Sequence, residues 1–326
     1  MYIKKILGLF LITCFIYSCK NDLEVNAPWK ETAVIYGLLD LGDTAQYIRV
    51  ERIYQNDGMD AIKVAQIGDS LYFDTATVVL IAKNSNNVVW TEILKEDQSI
   101  IKDSGLFANS SSTLYKTTRF LNKSFTYEIK VKTKKTVEGK EYTSSTALVG
   151  PSYISSRPNT FVLSPSRKYT FTLFKGNNAV AYDVKVHFTY REYDSLTQDS
   201  VEKYLDWIAV NNLSVGGSFD LYPEIIGRSM YDFLGYNIKP KTGIYRKIIG
   251  CEFLFIGGGE QLLNYININK PSLGIVQKKP EYTNINNGLG LFSSRNTTKE
   301  YIPINDSVNY FLTVDPATKN LGFRMK

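Results

Sequence analysis

Apolar and polar residues alternate along several stretches of this chain, and that period of two restricts them to β-strands with one buried face. Phe125, Tyr127, Ile129 and Val131 alternate with Thr126, Glu128, Lys130 and Lys132. Val184, Val186, Phe188 and Tyr190 alternate with Lys185, His187, Thr189 and Arg191, and Tyr169, Phe171 and Leu173 alternate with Thr170 and Thr172. The same pattern at Val308, Tyr310, Leu312 and Val314 predicts a last strand near the C-terminus. With 23 tyrosines and 17 phenylalanines, the composition suits strands.

Other strands announce themselves by continuous apolarity. Ala33 to Leu39 reads as a strand buried on both faces, with Gln46 to Tyr54 returning beside it after a turn at Gly42-Asp43. Thr75 to Lys83 is a strand that turns at Asn84-Ser85-Asn86-Asn87 into Val88-Val89-Trp90. Ile248 to Ile256 is apolar on both faces and predicts a central strand, with Cys251 on one face beside Ile249, Phe253 and Phe255. Pro223 opens an expected helix that carries Ile226, Met230, Phe233 and Leu234 and stops at Gly235. Gly257-Gly258-Gly259 before Glu260 makes a tight strand-to-helix turn; Leu262 stands where a dinucleotide fingerprint needs its third glycine. The expected fold is mainly β, with two β-sandwich-like domains: 31–150, immunoglobulin- or fibronectin-like, and 151–326, carrying two short helices. Gly150-Pro151 and Arg157-Pro158 mark the join.

Before residue 31 the pattern changes. Lys4 and Lys5 precede an apolar run from Ile6 to Tyr17, too short to span a bilayer, which takes about 20 apolar residues. A membrane anchor or a simply cleaved signal are the alternatives to the preferred reading. That reading rests on Ile16-Tyr17-Ser18-Cys19, which resembles a bacterial lipobox: residues 1–18 are a signal peptide, and Cys19, carrying acyl chains, starts a tether over 19–30. Lys20, Asp22 and Glu24 resemble the lysine-plus-acidic sorting signal of Bacteroidota surface lipoproteins, so the expected location is the outer membrane, on either face.

Little chemistry is legible beyond the anchor. The net charge is +6 over the whole chain, two units of it in the leader, and no basic block supports nucleic-acid binding. Once exported, Cys19 and Cys251 leave no intramolecular disulfide. The single histidine, His187, sits on the polar face of its strand and is expected to face solvent. Cys251 is expected to be core packing, since a nucleophilic thiol needs a depressed pKa and a partner base. Glu192, Asp194, Asp199, Glu202 and Asp206 flank a polar connection and read as a solvated hairpin tip rather than a glycosidase pair. No catalytic residue, metal ligand or cofactor is expected.

Two stretches resemble a family. Ala33 to Asp40 (AVIYGLLD), followed by Tyr47-Ile48-Arg49-Val50, and Tyr282 to Ser294 (YTNINNGLGLFSS) are similar to the first strands and C-terminal signature of Bacteroidota outer-membrane lipoproteins with a domain of unknown function. The resemblance implies location and fold class, not chemistry. Asp-Ser/Thr followed by a small or apolar residue resembles the Bacteroidota O-glycosylation site, and average composition gives roughly one match. This chain has several, among them Thr44, Ser70, Thr75, Ser195, Ser200 and Ser307. The expected function is therefore a non-enzymatic accessory or binding subunit beside an outer-membrane protein partner. Glycan capture through tyrosines is the second reading, and a carboxylate-dependent hydrolase the remote third.

Overall fold

In the computed structural model of the protein the chain is described for residues 32–53, 63, 66–67, 71–73, 75–100, 113–134, 141–156, 159–162, 164–217, 219–270 and 281–325. Cys19, Lys20, Asp22, Glu24 and Ser70 lie outside them. The first half contributes β1 (Ala33–Asp40), β2 (Gln46–Arg52), β3 (Ala76–Asn84), β4 (Asn87–Ile93), β5 (Lys95–Asp97), β6 (Leu114–Thr117), β7 (Thr126–Thr133) and β8 (Tyr142–Ala147). The second continues with β9 (Tyr153–Ser156), β10 (Lys168–Thr170), β11 (Thr172–Phe174), β12 (Ala181–Asp194), β13 (Ser200–Ser214), β14 (Asp220–Leu221) and β15 (Glu224–Ile226). It then runs through α1 (Gly227–Asn237), β16 (Ile244–Gly258), α2 (Glu260–Asn269), β17 (Leu289–Ile302) and α3 (Asp306–Val314). The fold is mainly β and sandwich-like.

An eight-stranded sheet in the order β13-β12-β16-β17-β1-β2-β6-β5 runs through both halves. Its pairs are antiparallel except β1 with β17, which are parallel from Val34↔Leu289 to Asp40↔Arg295. Strand β17 serves two neighbours in succession: its leading part lies against β1, and Arg295 to Ile302 lies against β16. The two stretches that carry the family resemblance, some 250 residues apart, are thus adjacent strands at the middle of the sheet.

Each side of that junction has its own core. In the first, the sheet β4-β3-β7-β8 packs Val78, Leu80, Tyr127, Ile129 and Val131 against Ile35, Leu39, Ile48 and Val50 of the large sheet. Ile285 and Phe292 join this core from far along the chain. In the second, Val186, Phe188, Cys251, Phe253 and Phe255 pack under Phe161, Phe171, Met230, Tyr231, Val308 and Leu312. Here helices and short strands cover the sheet, so the second half is a sheet with a mixed lid rather than a clean pair of sheets.

Most expected strands form where the patterning put them, including the β3–β4 hairpin, whose turn holds Ser85 and Asn86 at positive φ (47° and 80°). Four expectations need correction. Val308 to Val314 is helix α3, not a strand: Val308 and Leu312 are four apart, which satisfies both periods, and the Asn305 side chain accepts the Ser307 N–H as an N-cap. Pro223 precedes β15, so α1 starts at Gly227, and Gly235 sits inside it against Ala317 instead of ending it. Ile249 does not share a face with Cys251: the β12–β16 register shifts between Thr189 and Tyr190, and this bulge turns Ile249 outward, 39% exposed. Glu192 is not at a solvated tip. It is buried, and Arg246, itself 3% exposed, donates to its Oε1 at 2.9 and 2.6 Å while Lys203 approaches its Oε2 at 2.7 Å. Burial, the largest influence, pushes the Glu192 carboxyl up, and the two cations together outweigh it and hold it low.

Candidate functional site

Where the two cores meet, a cleft of about 740 Å³ opens between the β1–β2 turn, the β6–β7 loop, Pro151 and the middle of β17. It is a shallow depression, broadly open to solvent. Phe120 stands at its edge, 94% exposed.

The loop that presents Phe120 is held on both flanks. Tyr127 of β7 accepts the Asn122 N–H at 2.7 Å through its hydroxyl, which points back to the Asn122 carbonyl at 3.4 Å, an arrangement similar to the tyrosine corner of immunoglobulin-type sandwiches. Asn122 also accepts the Ser124 N–H on its side chain and the Phe125 N–H on its carbonyl. Before Phe120, the Arg119 guanidinium lies 4.4 Å over the Trp90 ring; after it, Leu121 packs on the core. Neighbours bound inward on both sides leave Phe120 directed outward on a fixed loop.

The opposite wall is β17. Thr298 donates to the Ser152 carbonyl and accepts from the Ser152 hydroxyl at 2.8 Å, which ties the connection between the halves to this strand. Asn296 lines the cleft, is buried, and its Oδ1 has no donor among the described residues. Behind it lies Asp40, the last residue of β1 and 2% exposed. Its Oδ1 accepts the Gly42 N–H at 2.9 Å, and its Oδ2 is 3.3 Å from Arg295 Nε. Burial dominates and pushes the Asp40 carboxyl up, with Gly42 and Arg295 opposing. A buried acid of raised pKa behind a cleft wall is a recurrent mark of functional sites. The residues that line the cleft themselves bring amides, hydroxyls and one ammonium, Lys123, with no carboxylate among them. No protein-family model matches the chain. No curated protein matches its sequence.

The residues singled out from sequence lie elsewhere. His187 is on the open outer face of the large sheet, as expected, and is pinned there: its Nδ1 is 2.7 Å from Asp206 Oδ1, and Lys185 is 2.6 Å from Asp206 Oδ2. Burial pushes the Asp206 carboxyl up, but these two partners prevail and hold it low. Glu202 pairs with Arg191, and Asp194 accepts the Leu196 and Thr197 N–H groups at the hairpin tip. Cys251 is fully buried, and its thiol is pushed far above its ordinary range. Among the glycosylation candidates, Thr44, Thr75, Ser195 and Ser200 are exposed, whereas the Ser307 hydroxyl is buried in the first turn of α3.

A second surface faces away from the cleft. Strand β13 is one edge of the eight-stranded sheet and runs for 15 residues. Along it and its hairpin tip, Leu196 (89%), Val201 (58%), Tyr204 (66%) and Ile208 (58%) are exposed. The cleft is not legible in the sequence, because its walls come from four segments distant in the chain. The one local signal was Phe120, an aromatic between Arg119 and the polar Asn122-Lys123-Ser124.

Proposed function

We propose that this chain is a lipid-anchored outer-membrane lipoprotein of the Bacteroidota type, held by acyl chains on Cys19, that acts without catalysis as a binding subunit beside an outer-membrane protein. The observation that carries the binding role is the β13 edge, a long strand whose apolar side chains stand in solvent. Such an edge offers a row of backbone donors and acceptors to an added strand, and proteins usually blunt it unless it has a partner. The thirteen residue steps from Cys19 to Thr32 reach at most about 45 Å fully extended, which keeps the body close to proteins of the same membrane. Lys20, Asp22 and Glu24, which resemble a sorting signal, support export to the outer membrane. The non-catalytic part draws on the inert setting of Cys251 and on the pairing of Glu192, Glu202 and Asp206 with cations.

The test has two arms. Metabolic labelling with a palmitate analogue should mark the wild type and not Cys19→Ala, which should leave the membrane fraction. Crosslinking and purification from native membranes should recover an outer-membrane protein in stoichiometric amount, and Tyr204→Glu combined with Ile208→Glu should lose it. Recovery of the chain alone, in repeated preparations, counts against the binding role. Modification of Thr44, Thr75, Ser195 or Ser200 belongs to the same proposal, and an intact mass equal to peptide plus lipid would sink it.

A further inference from the structure

We infer that the cleft between the two cores is a saccharide-binding site for an uncharged, hydroxyl-rich ligand, with Phe120 as its stacking platform. This goes beyond the partner-binding reading and does not depend on the β13 edge or on the lipid.

Three observations converge on that ligand chemistry. The first is the platform. A phenylalanine that is 94% exposed on a loop fixed by Tyr127 and by the Arg119–Trp90 contact is not core packing, and it is not a side chain left on a floppy tip. An aromatic face carries partial negative charge and attracts the polarised C–H edges of a flat ring, the contact a pyranose offers. The second is the lining. The residues that line it include Asn122, Asn296, Thr297 and Thr298, of the amide and hydroxyl types that both donate and accept, as a sugar hydroxyl does. The third is charge. Among the described residues that line the cleft there is no carboxylate and Lys123 is the one cation, while Asp40 lies behind Gly42 and Asn296. A polyanion would meet too little positive charge and a cation no counter-charge.

The placement also makes mechanical sense. One wall belongs to the first core through the Phe120 loop, and the other is β17 at the point where it passes from β1 to β16. A ligand in the cleft would touch both cores at once.

The experiment is calorimetric titration of the full-length protein in a non-glycosidic detergent, since a sugar headgroup would compete. The probes are neutral tetrasaccharides built on glucose, mannose, galactose and N-acetylglucosamine, with a polyuronate as the charged control. At least one neutral probe should bind with a Kd between about 10 μM and 1 mM. Phe120→Ala should weaken that binding about tenfold or more, in line with aromatic stacking on rings, with an unchanged Tm. Vesicles bearing lipopolysaccharide separate the two sources of such a ligand. Binding to them that soluble tetrasaccharide displaces points to a membrane glycan, and its absence alongside tetrasaccharide binding points to a free one. The inference is overturned if no neutral probe binds up to about 10 mM, if Phe120→Ala binds like wild type, or if only the polyuronate binds in a salt-sensitive way. It is also overturned if Phe120→Ala costs a protein partner while no saccharide binds. Loss of partner recovery in the β13 variants tests the other proposal and leaves this titration unaffected.

Discussion

Gly290→Ala should be among the most damaging single substitutions in the molecule. Gly290 has φ +115°, and a Cβ there would lie 2.0 Å from the Ile35 carbonyl oxygen, 2.8 Å from its carbon and 2.9 Å from its nitrogen. All three are backbone atoms of the neighbouring strand, so no rotamer change relieves the overlap. The disfavoured conformation alone costs about 1–3 kcal/mol. Removing the clash requires β1 and β17 to move apart, which loosens Ile35 and Phe292, both fully buried, each worth about 1.5–3 kcal/mol when completely withdrawn from water. Partial loss of both brings the expected destabilisation to about 4 kcal/mol or more, the tail reserved for backbone strain and core disruption. Guanidinium unfolding of Gly290→Ala should be compared with Gly217→Ala, where an added Cβ meets nothing within 4 Å. The control should be neutral or slightly stabilising, by up to about 1 kcal/mol. A loss under about 1 kcal/mol for Gly290→Ala would refute the close parallel pairing of β1 with β17, and with it the account of the central junction.

Arg246→Met leaves Glu192 buried with only Lys203, and should cost about 3 kcal/mol, the lower end for breaking a buried pair; Glu192→Gln added to it should recover part of the loss in the same unfolding assay. Because the folded state holds Glu192 below its ordinary 4.5, its contribution is present above that pH and is lost as pH falls through the lower folded value. Wild-type Tm should therefore decline below about pH 4.5, and more shallowly in Arg246→Met. Asp40 has the opposite sign: its raised pKa means it is least costly when protonated and grows costly as pH rises through the folded value. Asp40→Asn should match or exceed wild-type Tm at pH 7 and flatten its dependence above the ordinary carboxyl value of 3.8; a clear loss at pH 7 argues that the Arg295 pair outweighs burial. Asn305→Ala removes the α3 cap and should cost about 1 kcal/mol by chemical denaturation.

The glycines and asparagines of the YTNINNGLGLFSS stretch show why a local motif was readable before its meaning was. Asn284 accepts the Phe292 N–H and donates to its carbonyl, standing in for a strand partner, and Asn286 takes the Thr143 carbonyl. Gly288 and Gly290 stand where the Ala33 and Ile35 carbonyls come too near for a side chain. These are structural duties, and they account for the residue types without any ligand. The α3 error has an equally local cause: over nine residues, apolar positions at 308 and 312 fit a strand and a helix alike, and only the cap and the surrounding core decide between them. Glu192 was misplaced because its partner Arg246 lies 54 residues away, on a strand whose proximity no local pattern reveals.

Alternation along β7 and β12 specified the strands and their buried faces from sequence alone, because a side chain's face follows from the geometry of its own backbone. The outer-face position of His187 and the buried position of Cys251 were legible for the same reason: each depends on near neighbours in the chain. Which strands lie side by side was not. The parallel union of β1 with β17, the bulge that turns Ile249 outward, the burial of Asp40 and the cleft behind Phe120 all depend on contacts between segments far apart in the chain. Such contacts are selected by the summed packing of two cores, a property no single stretch carries.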